Sequence, residues 1–261
     1  MEFAKVWKSD VVYIWFADYP ALPFVVWAKL FGKPCVVNIG GWEVVDMPEI
    51  KYGNQRSPIR GFATRWIVKN TSVNITPSEP YCKKVEILVP GSKVITIPNF
   101  VDSELCDGPL PIKKNQVITS CCAESAYVSK GIPTFLEATS GGSYTAMITA
   151  IANRSVYEQT LKESKVYCQL SYEESFGVSL LEAMACGCIP VVSDRGALPW
   201  LVGECGIVVP RGDVKATRNA IELALRSGAA DIASVRNRAR FFNRERKKEL
   251  QEKMLEEVCS H

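Results

Sequence analysis

The chain has 261 residues, 47% hydrophobic and 23% charged, with a formal net charge of +3, which suits one or two ordinary globular domains. So balanced a charge gives no electrostatic case for nucleic acid. The single histidine is His261, so a Ser-His-Asp triad, a histidine base and a histidine-rich metal site are excluded within the fold.

No D-x-D occurs, so the short acidic clamp that holds a metal in some sugar transferases is missing as well. Ten cysteines are spaced irregularly, with Cys121 next to Cys122 and a C-x-C at Cys186 and Cys188. They form no four-ligand set of C-x2-C pairs and read as buried free thiols, with a zinc site and disulfides left open. Residues 1–10 carry charges where a signal peptide needs an apolar run. The apolar window at 11–31 contains Asp18, Pro20, Pro23 and Lys29, which suits a strand, a turn and an amphipathic helix better than a membrane span. A soluble, cytoplasmic protein is expected.

In chain order, "DVVYIWF" reads as a buried strand and "PALPFVVWAKLFGK" as a helix entered through prolines and stopped by Gly32. "PCVVNIGG" is a second strand; after a polar, Arg-rich stretch at 51–69, "SVNITPS" and "KVITIPNF" give two more. The pattern breaks at "LCDGPLPIKKN", the expected domain boundary. Beyond it, "QVITSCCA" is a strand, "YVSKGIPTFLEAT" a loop entering a helix, and "YTAMITAIA" either strand or helix. "SVYEQTLKES" reads as a helix, "KVYCQLS", "IPVVSD" and "GIVVP" as strands, and "DVKATRNAIELALRSG" as a helix with Asp213 as N-cap and Gly228 just past its end. The remainder is helical with a break near Asn243. Continuous apolar strands separated by helices predict parallel sheets in an α/β protein.

The stretch "YEESFGVSLLEAMACGCIPVV" carries the chemistry. "KVYCQLS" delivers the chain to the C-terminal end of a parallel strand, where open α/β sheets place ligands. A loop then enters a helix at Val178 that Gly187 and Pro190 terminate. Gly177 permits close backbone approach, and amides at Gly177, Val178 and Ser179 make a diphosphate site at a positive helix end. Glu182, about 1.5 turns in, has the reach for a ribose, and Glu174 lies on the other side of the phosphates, beside the transferred sugar. Spacing alone is equally served by a solvated loop acid and a helix-surface acid.

The E-x7-E in "ESFGVSLLEAMACGCIPVV" resembles the signature of retaining GT-B glycosyltransferases of the family 4 type. "KVITIPNFVD", "SKGIPTFLEA", "GIVVPRGD" and "DVVYIWFA…LFGKPCVVNIGGWE" resemble further segments of that family, in the right order. The resemblance implies two Rossmann-like domains with parallel sheets facing across a cleft: a minimal acceptor-side domain at 1–108, a nucleotide-sugar domain at 109–240, and a final helix at 241–261 packing back on the first. It implies transfer of a sugar from a UDP- or GDP-sugar to an acceptor hydroxyl with retention and without a metal. Residue by residue, Glu182 would hold the ribose, Glu174 the sugar hydroxyls, and Ser175, Phe176, Gly177, Val178 and Ser179 phosphate or sugar. Lys130 would neutralise the charge growing on the leaving nucleotide. Three positions depart: Glu124 stands where the family has an arginine, Gly40 where it has a histidine, and Trp200 where it has an acid. Gly41 and Glu43 could still line the cleft, Glu43 also reading as a structural strand-end acid.

The expected partners are a nucleotide sugar and a glycan, lipid-linked or protein acceptor, with peripheral membrane contact through the cations of 236–248. Those cations also read as a solvated helix face. The departures support a second reading, a non-catalytic or partner-dependent nucleotide-sugar-binding subunit.

Overall fold

The β-branched runs form two separate, all-parallel sheets in a computed structural model that describes residues 2–121, 126–149 and 153–260. The chain divides into two compact units, one of Met1–Pro98 with Arg246–His261 and one of Asn99–Glu245. The first contains α1 (Glu2–Lys8), β1 (Val12–Trp15), α2 (Leu22–Leu30), β2 (Cys35–Asn38), α3 (Pro58–Asn70), β3 (Val73–Thr76), α4 (Glu79–Leu88) and β4 (Val94–Thr96). Its strands pair in sequence order, with Val36 and Val37 fully buried. Gly32, at φ +62, follows α2 in the left-handed conformation that ends the helix.

The second unit contains α5 (Ser103–Asp107), β5 (Lys114–Ser120), α6 (Ile132–Thr139), β6 (Thr145–Thr149), α7 (Arg154–Glu163), β7 (Ser164–Gln169), α8 (Val178–Ala185), β8 (Ile189–Ser193), α9 (Leu198–Val202), β9 (Ile207–Val209), α10 (Val214–Ala224) and α11 (Ala229–Arg240). Last comes α12 (Arg244–Cys259). The second sheet runs β6-β5-β7-β8-β9. After β5 the chain steps outward to β6, and after β7 it steps the other way, so the crevice between the ends of β5 and β7 is a topological switch point.

Several expectations change. The stretch at 51–69 is largely α3, capped by Ser57 through the Arg60 amide and started by Pro58. Its arginines mask an inward face of Ala63, Thr64, Ile67 and Val68. The units part after Pro98 and again at Arg246, rather than near 108 and 240, because Val101, Leu105 and Cys106 join the second core. Gly228 is the N-cap of α11, its N–H donating to Asp231 at 2.8 Å, while α10 ends at Ala224 with Leu225 as its C-cap. Asp213 caps α10 as expected, accepting from Ala216. The ambiguous "YTAMIT" is strand, on the edge of its sheet.

Met254 and Val258 of α12 share an apolar cluster with Val36, Val73, Ile75 and Ile97 of the first unit. Deleting a buried side chain of this kind costs about 2–5 kcal/mol, so Met254→Ala is expected to lower the urea midpoint while leaving the far-ultraviolet spectrum of the folded protein unchanged. A pH effect follows from the buried thiols. Burial pushes Cys188 up to about 11 and Cys35 and Cys186 up to about 12, from an ordinary 9.0. Below pH 9 both folded and unfolded thiols keep their protons; above it only the unfolded ones ionise, so unfolding gains. Lys113 and Lys247, lowered by burial, act in the opposite sense, but burial raises Cys82, Cys106 and Cys168 as well, so two groups stand against six thiols. The urea midpoint is therefore expected to fall between pH 9 and 11, after a plateau below.

Candidate functional site

Two glycines set the geometry at the carboxyl end of the second sheet. Gly131, at φ +71, lies so close to β7's outgoing strand that a Cβ would stand 2.1 Å from the Leu170 carbonyl oxygen. Gly196, at φ +57, presses on the next loop, where a Cβ would stand 2.2 Å from the Glu174 carbonyl oxygen. Backbone bonds fix the same approach: Tyr172 N–H donates to Ser129 O at 2.8 Å and Ala197 N–H to Glu174 O at 2.8 Å. The loops after β5, β7 and β8 are thereby pinned together.

The result is an ion pair between Lys130 and Glu174, Nζ to Oε2 2.6 Å, with both side chains mostly buried. Glu174 Oε2 also accepts from Gln169 Nε2 at 3.0 Å and Ser171 Oγ at 3.3 Å. Gln169 Oε1 in turn accepts from the Tyr167 hydroxyl, which shares a 2.5 Å hydrogen bond with Ser120 Oγ. A line of polar groups thus runs from the ends of β5 and β7 to the Glu174 carboxylate. Burial holds the Tyr167 phenol far above its ordinary range, so it stays a neutral hydroxyl that can donate to Gln169.

Beyond Glu174 the chain enters α8 through Gly177, at φ +99, and no described side chain caps the helix. Gly177 brings no side chain of its own to the first amides of α8, which leaves the positive end that anions favour. Phe176 contributes backbone only; its ring is buried against Phe242 (5.6 Å) and Trp200 (6.2 Å). Leu198 and Leu201 fill the space beside Gly177, so that glycine answers to its backbone angle and its packing. Trp200 lies in the same aromatic cluster. Ser175 and Ser179 are half-buried and Val178 is exposed.

Glu182, further along α8, is engaged. Its Oε1 accepts from Arg154 Nη1 at 2.6 Å, and Arg154 Nε also binds Glu158 at 2.6 Å. Burial opposes the charge on Arg154, but the two carboxylates outweigh it and raise its pKa. Alongside lies Tyr157, fully buried, whose hydroxyl has no hydrogen-bond partner among the described residues. Burial first, and then the charge of Glu182, push its phenol up. Arg154 escaped the sequence reading because it opens α7 straight after the ambiguous β6. Gln169 carried a usable signal, a polar residue at the end of an otherwise apolar strand.

Glu124 lies outside the described residues. Gly41 lies in the first unit, at φ +126, and its N–H donates to Glu43 Oε2 at 2.7 Å. Glu43 is fully buried and also accepts from Gly40 (3.0 Å) and Ala17 (3.3 Å); burial raises its pKa against the pull of these amides. That is the structural role. The cations of 236–248 largely serve the protein itself. Arg236 reaches the carbonyls of Ala185 (3.2 Å) and Gly108 (2.6 Å), Arg238 those of Leu201 (3.0 Å) and Trp200 (2.7 Å). Arg240 pairs with Asp107 and Arg244 with Asp102. Among the described residues no cluster of three or more His, Cys, Asp or Glu is placed to hold a metal, and no helix is long and apolar enough to cross a membrane.

Residues 146–248, which include α8 and its loop, match the family model described as Glycosyl transferases group 1. The chain is 35% identical over 77 residues to O-antigen chain mannosyltransferase B of Escherichia coli, a match spanning 29% of this chain and 20% of that protein. Among solved structures, sucrose-phosphate synthase from Thermosynechococcus elongatus superposes with a TM-score of 0.81 at 16% identity, over 98% of this chain and 76% of that one. Anabaena HepE in complex with UDP and glucose gives 0.73 at 16%, over 97% and 79%. Trehalose-6-phosphate synthase, in a study of glycosyl transfer with retention, gives 0.71 at 12%, over 97% and 74%. The α/β fold with two parallel sheets is that of the GT-B glycosyltransferases.

The pinning of the loops is testable with a matched pair. Gly131 and Gly141 share a positive φ, but nothing lies within 4 Å of a Cβ on Gly141. Gly141→Ala is expected to cost about 1–2 kcal/mol from the left-handed backbone alone, and Gly131→Ala clearly more, as read from urea unfolding.

Proposed function

We propose that the chain is a glycosyltransferase that moves a sugar from a nucleotide-sugar donor to an acceptor hydroxyl, with retention of configuration and without a metal. The observation that carries this reading is the Lys130–Glu174 pair at the switch point, Lys130 from the loop after β5 and Glu174 from the loop that enters α8. The match of residues 146–248 to a glycosyltransferase family model supports it, as do the UDP and glucose bound by HepE and the retention studied in trehalose-6-phosphate synthase.

The residues divide the work as follows. The first amides of α8 take the diphosphate, with phosphate oxygens as acceptors. Lys130 neutralises the charge that grows on the leaving nucleoside diphosphate, a contribution larger in the transition state than in the ground state. Glu174 Oε2 is held by three donors, so the carboxylate is fixed in direction and presents Oε1 to the hydroxyls of the transferred sugar. Glu182 takes the ribose. An acceptor hydroxyl then attacks from the face that the nucleotide leaves, and the protein contributes orientation and charge more than a nucleophile. A UDP- or GDP-sugar is the donor we infer, and a glycan the acceptor, in keeping with the mannosyltransferase relative. Lipid contact through 236–248 draws no support from side chains already bonded within the protein.

A second reading, a nucleotide-sugar-binding subunit without transfer, has a specific observation in its favour. At Gly40 a Cβ would stand 2.6 Å from Phe16 Cε1, so a phenyl ring takes the space where a histidine side chain would project.

The deciding experiment is calorimetric titration with UDP-, GDP-, ADP- and dTDP-sugars in the presence of a chelator. One donor is expected to bind, and Glu182→Ala to weaken it about 10–100-fold, the loss expected for hydrogen bonds to a charged group. Failure of every donor to bind would overturn both readings, and binding without turnover would select the second.

A further inference from the structure

Parallel sheets are ordinarily covered by helices on both faces, and one strand of the second sheet is not. Among the described residues β6 is an edge strand, paired on one side with β5. Thr145, Ala146, Met147 and Ile148 are all exposed, Met147 to 40% and Ile148 to 39%. Side chains alternate along a strand, so these two lie on opposite faces and β6 is open on both. Met147 shares its face with Gln116, whose Nε2 donates to its sulfur at 3.4 Å; Ala146 and Ile148 take the other.

An edge strand turns half of its backbone N–H and C=O groups outward, and proteins guard such edges by shortness, charge, proline or a covering element. Among the described residues the other sheet edges have a guard. β4 and β9 are three residues long, and in β1 only Trp15 is exposed. β6 has five residues, and the sequence from Ala138 to Thr149 contains neither a charge nor a proline.

The chemistry of that edge specifies its occupant. Outward amides and carbonyls at strand spacing are matched by another extended strand. The lack of charge gives an acidic or basic partner nothing to recognise, yet it lets the strand meet its own copy without setting like charges opposite each other. Antiparallel pairing about a two-fold axis at Met147 places Ala146 opposite Ile148 of the second copy, and Ile148 opposite its Ala146. A small side chain then faces a large one in both halves of the interface.

We propose that β6 is the interface of a homodimer, two copies pairing edge to edge so that the second sheet continues across a two-fold axis. The pairing is independent of the glycosyltransferase reading, because Lys130 and Glu174 meet in the loops beyond the central strands. The test is sedimentation equilibrium of the full chain under reducing conditions, which keep exposed Cys259 from cross-linking. Expected is a monomer–dimer equilibrium with a dissociation constant below about 100 μM. Met147→Lys sets like charges opposite each other at the axis, and Ile148→Lys buries a charge beside Ala146. Each is expected to raise the dissociation constant about tenfold or more, with circular dichroism unchanged because both side chains are exposed in the single chain. Val208→Lys, at a 43% exposed position of β9 on the sheet's other edge, is expected to leave dimerisation as it was. Amide hydrogen exchange at 145–149 is expected to slow as the concentration rises through the dissociation constant, a readout that needs no variant. A chain still monomeric at about 100 μM, a dimer that survives both β6 substitutions, one that Val208→Lys disrupts equally, or a dimer without exchange protection in β6 would overturn the proposal.

Discussion

Everything at the carboxyl end of the second sheet depends on backbone lying directly on backbone. Gly131 against Leu170 and Gly196 against Glu174 bring three loops closer than any side chain allows. Both glycines also sit at positive φ, so each position is specified twice, by angle and by space. The ion pair between Lys130 and Glu174 is a consequence. Neither residue is near the other in sequence, and their meeting needs the crevice opened by the reversal of strand order at β5 and β7.

Support for the pair comes from within the sheet. Ser120, Tyr167 and Gln169 occupy the ends of the two central strands and pass hydrogen bonds from one to the next until the Glu174 carboxylate is reached. Such a chain is costly when half-satisfied and rigid when complete. The first unit answers the same problem differently. There the amides of Ala17, Gly40 and Gly41 converge on Glu43, a carboxylate of the protein itself, so the anion that a cluster of strand-end amides attracts is built in.

Much of this was legible in the sequence, for identifiable reasons. Apolar runs such as "IPVVSD" and "KVYCQLS" are buried on both faces of a parallel sheet, which makes them continuous and easy to read. The helix at Val178 and its glycine entry followed from local chemistry. What stayed hidden was set by tertiary contact. Arg60 and Arg65 gave α3 the look of a polar loop, because one helix face can be charged while the other carries Ile67 and Val68 inward. The side chains of Trp200 and Phe176 pack on Phe242, some forty residues or more away in the chain, a distance over which no local pattern reports. Arg154 could not be matched to Glu182 until the edge position of β6 was known.

That last contact changes how affinity at this site should be understood. Glu182 already has a cationic partner, itself shared with Glu158. On the function proposed above, a ribose would take the carboxylate by exchange, two neutral hydroxyls replacing one guanidinium, and only the difference between the old bonds and the new would appear in the binding constant. Arg154 is half-exposed, so dissolved ions screen its hold on Glu182 more than they touch a neutral sugar. Ionic strength would thus act, on that reading, as a competitor of the protein's own arginine.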